Sequence, residues 1–310
     1  MSISVCSVMP ATIFMLVLAA FSGYTFALLG RICHDNGAKT IGEAWELEIG
    51  PSTTWIVDLS TFVFAVGCTL SFSIVLGDFL SSLVQGIASS MSSTIFTTAS
   101  SLQLLRQFCI LAITATALYP LSLLDSLAKL APVSVAGVAG VILTSLYMVL
   151  RCSFSTAYHL PHGRFLPDVP ALPVFGTRPL SAMNPFSCLI LASTLANAFL
   201  AHFAAPDFVM ALTGTNNDNS TSSSVLTRFA KLTFFGFGGT ALINAIVMIS
   251  GFLTFGGQTA GVILNNYATN DVGASLCRLF TIVSITGAFP FLVKPGRESL
   301  TNLVWKSEYE

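Results

Sequence analysis

The chain has 310 residues, of which 54% are hydrophobic and only 9% charged, with a formal net charge of -1. Mean hydropathy is +0.80, whereas a soluble domain carries roughly a quarter of its residues as charges. The composition therefore excludes an ordinary water-soluble domain and points to an all-α polytopic membrane protein. The absence of a concentrated basic face argues against a nucleic acid partner, because binding there requires displacing counterions from phosphates.

Charged residues divide the chain into seven apolar stretches of roughly spanning length, near 9–30, 56–80, 106–124, 130–151, 185–206, 231–256 and 272–294. A helix needs about 20 residues to cross a bilayer, so the reading is one transmembrane domain over residues 1–310, in contact with membrane lipid. The first stretch has no basic start, and Arg31 follows it; this is a span with its amino end outside rather than a secretory leader. With that orientation the inner connections carry Arg31, Lys39, Lys129, Arg228, Lys231, Lys294, Arg297 and Lys306. The outer side carries Arg106, Arg151, Arg164, Arg178 and Arg278, a bias in the expected direction. The sequon Asn219-Ser220-Thr221 then faces the cytosol and is read as unused.

Between the first two spans, Glu43, Trp45, Glu46 and Glu48 have the pattern of a short interfacial helix. Asp58 and Asp78 flank the second span and are expected at its two water interfaces. The Ser/Thr-rich run over residues 86–103 reads as an exposed loop. Gly137 and Gly140 form a small-residue packing face in the fourth span, and Gly236, Gly238 and Gly239 in the sixth suggest a similar face or a bend. Residues 152–183 contain five prolines and cannot be regular helix; they form a surface loop, a lid or a packed cap. Seven cysteines lie scattered without a CxxC pair, so neither a disulfide framework nor a metal site is expected.

The most informative stretch is residues 186–206, FSCLILASTLANAFLAHFAAP. Hydrocarbon penalises polar groups, so Ser193, Thr194, Asn197 and His202 inside a span point to a solute pathway. Asn184-Pro185 is a good helix start, and Ser193, Thr194 and Asn197 share one face. Downstream, Pro206 ends or kinks the helix, and an interrupted helix frees backbone groups that can hold a carboxylate or an ion. His202 is read either as a substrate or proton contact or as a plainly hydrogen-bonded histidine. In the seventh span, Ser284 and Thr286 are candidate oxygen ligands of a coupled cation, with back-bonding to their own helix as the alternative. Ser22-Gly23-Tyr24-Thr25-Phe26 echoes faintly in the sixth span as residues 250–255, the kind of inverted repeat seen in transporters.

Several segments in order resemble the amino acid/auxin permease superfamily, which includes vacuolar and sodium-coupled neutral amino acid transporters. They are LAAFSGYTFALLGRIC (18–33), FSIVLGDFLSSL (72–83), LYPLSLLDSLAKLAPVS (118–134), FLAHFAAPDFVMAL (199–212), SGFLTFGG (250–257) with NNYATND (265–271), and FPFLVKPGRESL (289–300). The resemblance implies a partial inverted-repeat, LeuT-like fold and secondary amino acid transport driven by protons or sodium, with no other cofactor. By it, the first span resembles family helix two and the last helix eight, so the chain is expected to lack helix one and the last three. Thr286 resembles a sodium ligand of the sodium-coupled branch. The membrane is expected to be vacuolar, endomembrane or plasma membrane. Alternatives are a seven-helix receptor, or a truncated fragment that transports nothing; an enzyme is not expected, since Asp78 has no carboxylate partner in another span.

Overall fold

The structure is a computed structural model, and it describes residues 8–90, 99–123, 131–174, 185–214 and 222–305. Among them seven helices are long and apolar enough to cross a bilayer: Val8–Asn36, Pro51–Ala88, Ser100–Ser122, Pro132–Ser153, Leu189–Thr213, Ser224–Phe255 and Val272–Val304. Lipid offers backbone groups no partner, so each spanning segment must satisfy its own amides and carbonyls, as a helix does. In chain order the helices are α1 (Val8–Asn36), α2 (Ile41–Glu48), α3 (Thr54–Ser90), α4 (Ala99–Ile113), α5 (Tyr119–Ser122), α6 (Ala131–Ser153), α7 (Pro185–Ala198), α8 (Ala205–Gly214), α9 (Ser222–Phe255) and α10 (Val272–Trp305). The chain divides into two compact units. The first comprises Met1–Ala11, Cys68–Ile190 and Ile243–Pro290, and the second Thr12–Gly67, Leu191–Leu242 and Phe291–Glu310.

Helix α3 is 37 residues long, about 55 Å at 1.5 Å per residue, well beyond the ~30 Å of hydrocarbon. One expectation fails on that length. Residues 86–90 are helical, as are residues 99–103 at the start of α4, so the exposed loop expected over 86–103 is at most residues 91–98, which lie outside the described region. Polarity alone misled here: Gly86 lies so close to the Thr269 carbonyl that a Cβ would come within 2.9 Å of it, and this packing keeps the helix going. Asp78 is set back from the end of that helix. It lies within α3 and forms an ion pair with Arg106 of α4, beside Gly77, where a Cβ would come within 2.3 Å of the Ile110 side chain.

In the first unit, α6 and α10 meet on small residues. A Cβ on Gly137 would lie 3.0 Å from the Ser284 Cα, and one on Gly140 2.9 Å from the Phe280 Cβ. The proline-rich segment after α6 folds down as a packed cap built on the short turns Thr156–Tyr158 and Leu166–Asp168. Tyr158, Phe165 and Leu166 are buried in it. An isolated parallel bridge joins Val174 to Gly256; the rest of the expected loop, from residue 175 on, is outside the described residues.

The second unit is built around Phe26, Ala205, Val209 and Phe229, with Leu29, Ala201, Leu212 and Phe237 against them. Phe26 stacks on Phe229 at 5.4 Å, and Gly30 lets that ring approach α1: a Cβ there would lie 2.1 Å from the Phe229 Cε1. Helix α2 starts where the sequence suggests an interfacial helix. Thr40 caps it by accepting from the Glu43 amide at 3.1 Å, while the Glu43 carboxylate accepts from the amide of Lys39, one residue before the cap, at 2.7 Å. Asp58 is 5% exposed, with its Oδ1 tucked against Gly42. Gly236, Gly238 and Gly239 face open space along an unbroken α9, so among the described residues they are neither a packing face nor a bend. Of the described basic residues, Arg31, Lys39, Arg228, Lys231, Lys294 and Arg297 belong to the second unit, and Arg106, Arg151, Arg164 and Arg278 to the first.

Candidate functional site

Proline decides where the fifth span breaks. At position 206 it has no amide to offer the carbonyl of His202, and its ring collides with that carbonyl in a continuous helix. Helix α7 accordingly ends at Ala198, a 3-10 turn follows over His202–Ala204, and α8 begins at Ala205 with Pro206 in its first turn. Between them the regular ladder gives way to Leu200 N–H donating to the Asn197 carbonyl at 3.3 Å and Ala204 N–H to the Ala201 carbonyl at 2.9 Å, with Ala201 at φ -128°, ψ 5°. The break thus precedes Pro206 by a turn. The expected start holds at Pro185; its cap Asn184 lies outside the described residues.

Leu191 and Leu195, with Phe199 one residue past its end, form the buried stripe of α7, at the four-residue spacing of one helix face. Ser193, Thr194 and Asn197 are all exposed on the other side, and none of the three is without a partner. The structure therefore brings these three together on one face. His202, four residues past the end of α7, is separate from them: its Nε2 lies 2.7 Å from the Thr25 Oγ1 of α1, its ring meets Phe26 edge-on at 6.1 Å, and its Nδ1 is buried with no hydrogen-bond partner. Sequence reasoning noted Thr25 only as part of a repeat. The signal it missed was a hydroxyl in an apolar run.

Just beyond the break, Asp207 accepts from Lys294 of α10 at 3.0 and 3.2 Å. This ion pair forms part of a cleft of about 560 Å³ whose lining includes Lys39, Glu43, Arg297 and Glu298, all within the second unit.

Ser284 and Thr286 belong to the first unit. Ser284 lies against Gly137, and the Thr286 Oγ1 is buried without a hydrogen-bond partner.

The sequence from residue 2 to residue 310 matches the family described as transmembrane amino acid transporter protein. The chain belongs to this transporter family. It is similar to a putative sodium-coupled neutral amino acid transporter 11 from Danio rerio, 24% identical over 299 residues, covering 96% of this chain and 60% of that protein. It is also similar to solute carrier family 38 member 8 from Mus musculus, 22% identical over 303 residues, covering 97% of this chain and 63% of that one. The chain thus spans about three-fifths of the length of these curated relatives. No solved structure matches it.

One further cluster of this transporter-family chain escaped the sequence reading. Asp271, 1% exposed, accepts from Tyr147 at 2.7 Å, Tyr158 at 3.0 Å, Arg151 at 2.8 Å and the Gly273 amide at 3.0 Å. Arg151 also donates to the Tyr147 hydroxyl at 3.2 Å and lies 5.3 Å over the Tyr147 ring and 5.4 Å over that of Phe165. Nearby, Arg278 donates to the carbonyls of Leu264 and Tyr267 at 2.9 and 2.6 Å. Burial alone would raise the Asp271 carboxyl; bonds from Tyr147, Arg151 and Tyr158 and the Arg151 charge outweigh it and hold the group below its ordinary value. Burial and the Asp271 charge push the Tyr158 phenol up. Every lone pair of the carboxylate is thereby used, which makes this a structural clasp rather than a reactive site.

Proposed function

We propose that this chain carries amino acids across a membrane by alternating access, in the inverted-repeat manner its sequence resembles. The observation that carries the reading is the broken fifth span: a helix interrupted over residues 199–204 by Pro206, with a hydroxyl and amide face on its first half. The start of α8, where Ala205 N–H donates to the His202 carbonyl and Pro206 has no N–H, carries the positive end of the helix dipole, which suits a substrate carboxylate. Asp207 in that first turn would oppose an anion, and its pairing with Lys294 offsets the charge. Ser193, Thr194 and Asn197 orient the ligand, and His202 lies at its other end. One of the two curated relatives supports the substrate class by its name alone, that of a putative sodium-coupled neutral amino acid transporter.

Coupling to protons or sodium belongs to the same proposal. The unpartnered Thr286 hydroxyl supports Ser284 and Thr286 as oxygen ligands for a transported cation, since a hard ion is held by hydroxyl and carbonyl oxygens. Uptake of a radiolabelled mixture of the twenty amino acids into proteoliposomes tests the reading. Asn197→Ala and Thr194→Val are each expected to raise KM about tenfold, the loss of one hydrogen bond to a charged ligand group; uptake kinetics identical to the parent chain in both variants would overturn the assignment.

A further inference from the structure

A hydroxyl has one proton to give, and in Thr25 that proton points back along α1. Its Oγ1 lies 3.0 Å from the Phe21 carbonyl and 3.1 Å from the Ser22 carbonyl, the usual geometry for a helical threonine donating to its preceding turn. Toward His202, 2.7 Å away, the oxygen is therefore an acceptor. With the hydroxyl proton assigned in this way, the imidazole places its N–H on Nε2, which leaves Nδ1 as a bare lone pair. That atom is buried and has no partner, and the Phe26 ring set edge-on against the imidazole hinders the ring flip that would exchange the two nitrogens. An unsatisfied buried acceptor is uncommon in a folded protein and calls for a donor supplied from elsewhere.

We propose that Thr25 is a positioning residue, fixing His202 as the Nε2–H tautomer so that Nδ1 accepts a hydrogen bond from the ammonium group of the amino acid. This rests on the broken-helix reading of the site. It assigns the ammonium end of the substrate to the turn at His202–Ala204, and it requires a ligand with N–H donors: an α-hydroxy acid of the same shape offers one weaker donor and no positive charge.

The full chain, labelled with 15N in its histidine rings and held in lipid nanodiscs, tests the idea directly. The His202 signal, assigned by its loss in His202→Gln, is expected to show a protonated Nε2 and a bare Nδ1, retained in Thr25→Ser and lost in Thr25→Val. A twenty-amino-acid mixture should shift the Nδ1 resonance, and the corresponding α-hydroxy acids should leave it in place. In proteoliposomes, Thr25→Val should raise KM for the amino acid mixture about tenfold with kcat within twofold, and Thr25→Ser should restore it. A proton on Nδ1 in the parent chain, or a Thr25→Val variant with the parental tautomer and KM, overturns the proposal. If Asn197→Ala impairs uptake while Thr25→Val does not, the transport reading stands and this inference alone falls. A parent chain that takes up no amino acid and whose Nδ1 resonance no amino acid moves removes both.

Discussion

Asp271→Ala is expected to cost the first unit about 3 to 5 kcal/mol, the range for removing one partner of a buried ion pair. The reason lies in what stays behind. Arg151 keeps its charge in a largely enclosed position, with side-chain exposure of 25%, and two tyrosine hydroxyls and the Gly273 amide lose their acceptor. Since Tyr158 belongs to the cap and Tyr147 and Arg151 to α6, losing the carboxylate unties the cap, α6 and the start of α10 from one another. Unfolding of the purified chain in detergent, followed by far-ultraviolet circular dichroism against temperature, checks this; an unchanged midpoint would count against the clasp. The pH dependence has a definite sign. The folded carboxyl lies below its ordinary value, which is about 3.9 in an unfolded chain. Its stabilisation is thus complete above about pH 4 and is lost as pH falls through the lower folded value. Asp271→Asn should remove that acid-side decline.

Gly30→Ala has the second large effect, in the other unit. Its added methyl meets the Phe229 ring at 2.1 Å, and that ring cannot simply swing away because it is 1% exposed and stacked on Phe26. Overpacking of this kind costs about 1 to 3 kcal/mol. Phe229→Leu frees volume at the same spot, so the double variant Gly30→Ala/Phe229→Leu should be more stable than the sum of its single costs predicts. Strict additivity of the two midpoint shifts would show that the ring and the glycine do not meet.

The two variants mark where the amino-acid sequence is a good guide and where it is not. Span number and helical class follow from composition, because lipid allows so few solutions for the backbone. The interrupted fifth span is likewise written locally, in one proline. What stayed hidden is tertiary. Asp271 finds Tyr158 across 113 residues and Tyr147 across 124, Thr25 finds His202 across 177, and nothing in any of these local stretches announces its partner. The same applies to α3, whose serines near residue 90 looked like loop, and to Asp58, whose burial against Gly42 depends on where α2 packs. At the site itself, the shared face of Ser193, Thr194 and Asn197 could be read from spacing, whereas the separate engagement of His202 with α1 could not.

The proposed transport requires an amino acid to rest beside the broken fifth span. Asn197→Cys places a thiol on the exposed face of α7, and its alkylation by a small maleimide can be measured as the increment over the parent chain. A saturating mixture of the twenty amino acids is expected to slow that increment at least fivefold, with the same mixture of α-hydroxy acids far less effective. Labelling at an identical rate with and without amino acids, in a chain that takes them up, would place the substrate elsewhere and contradict the assignment.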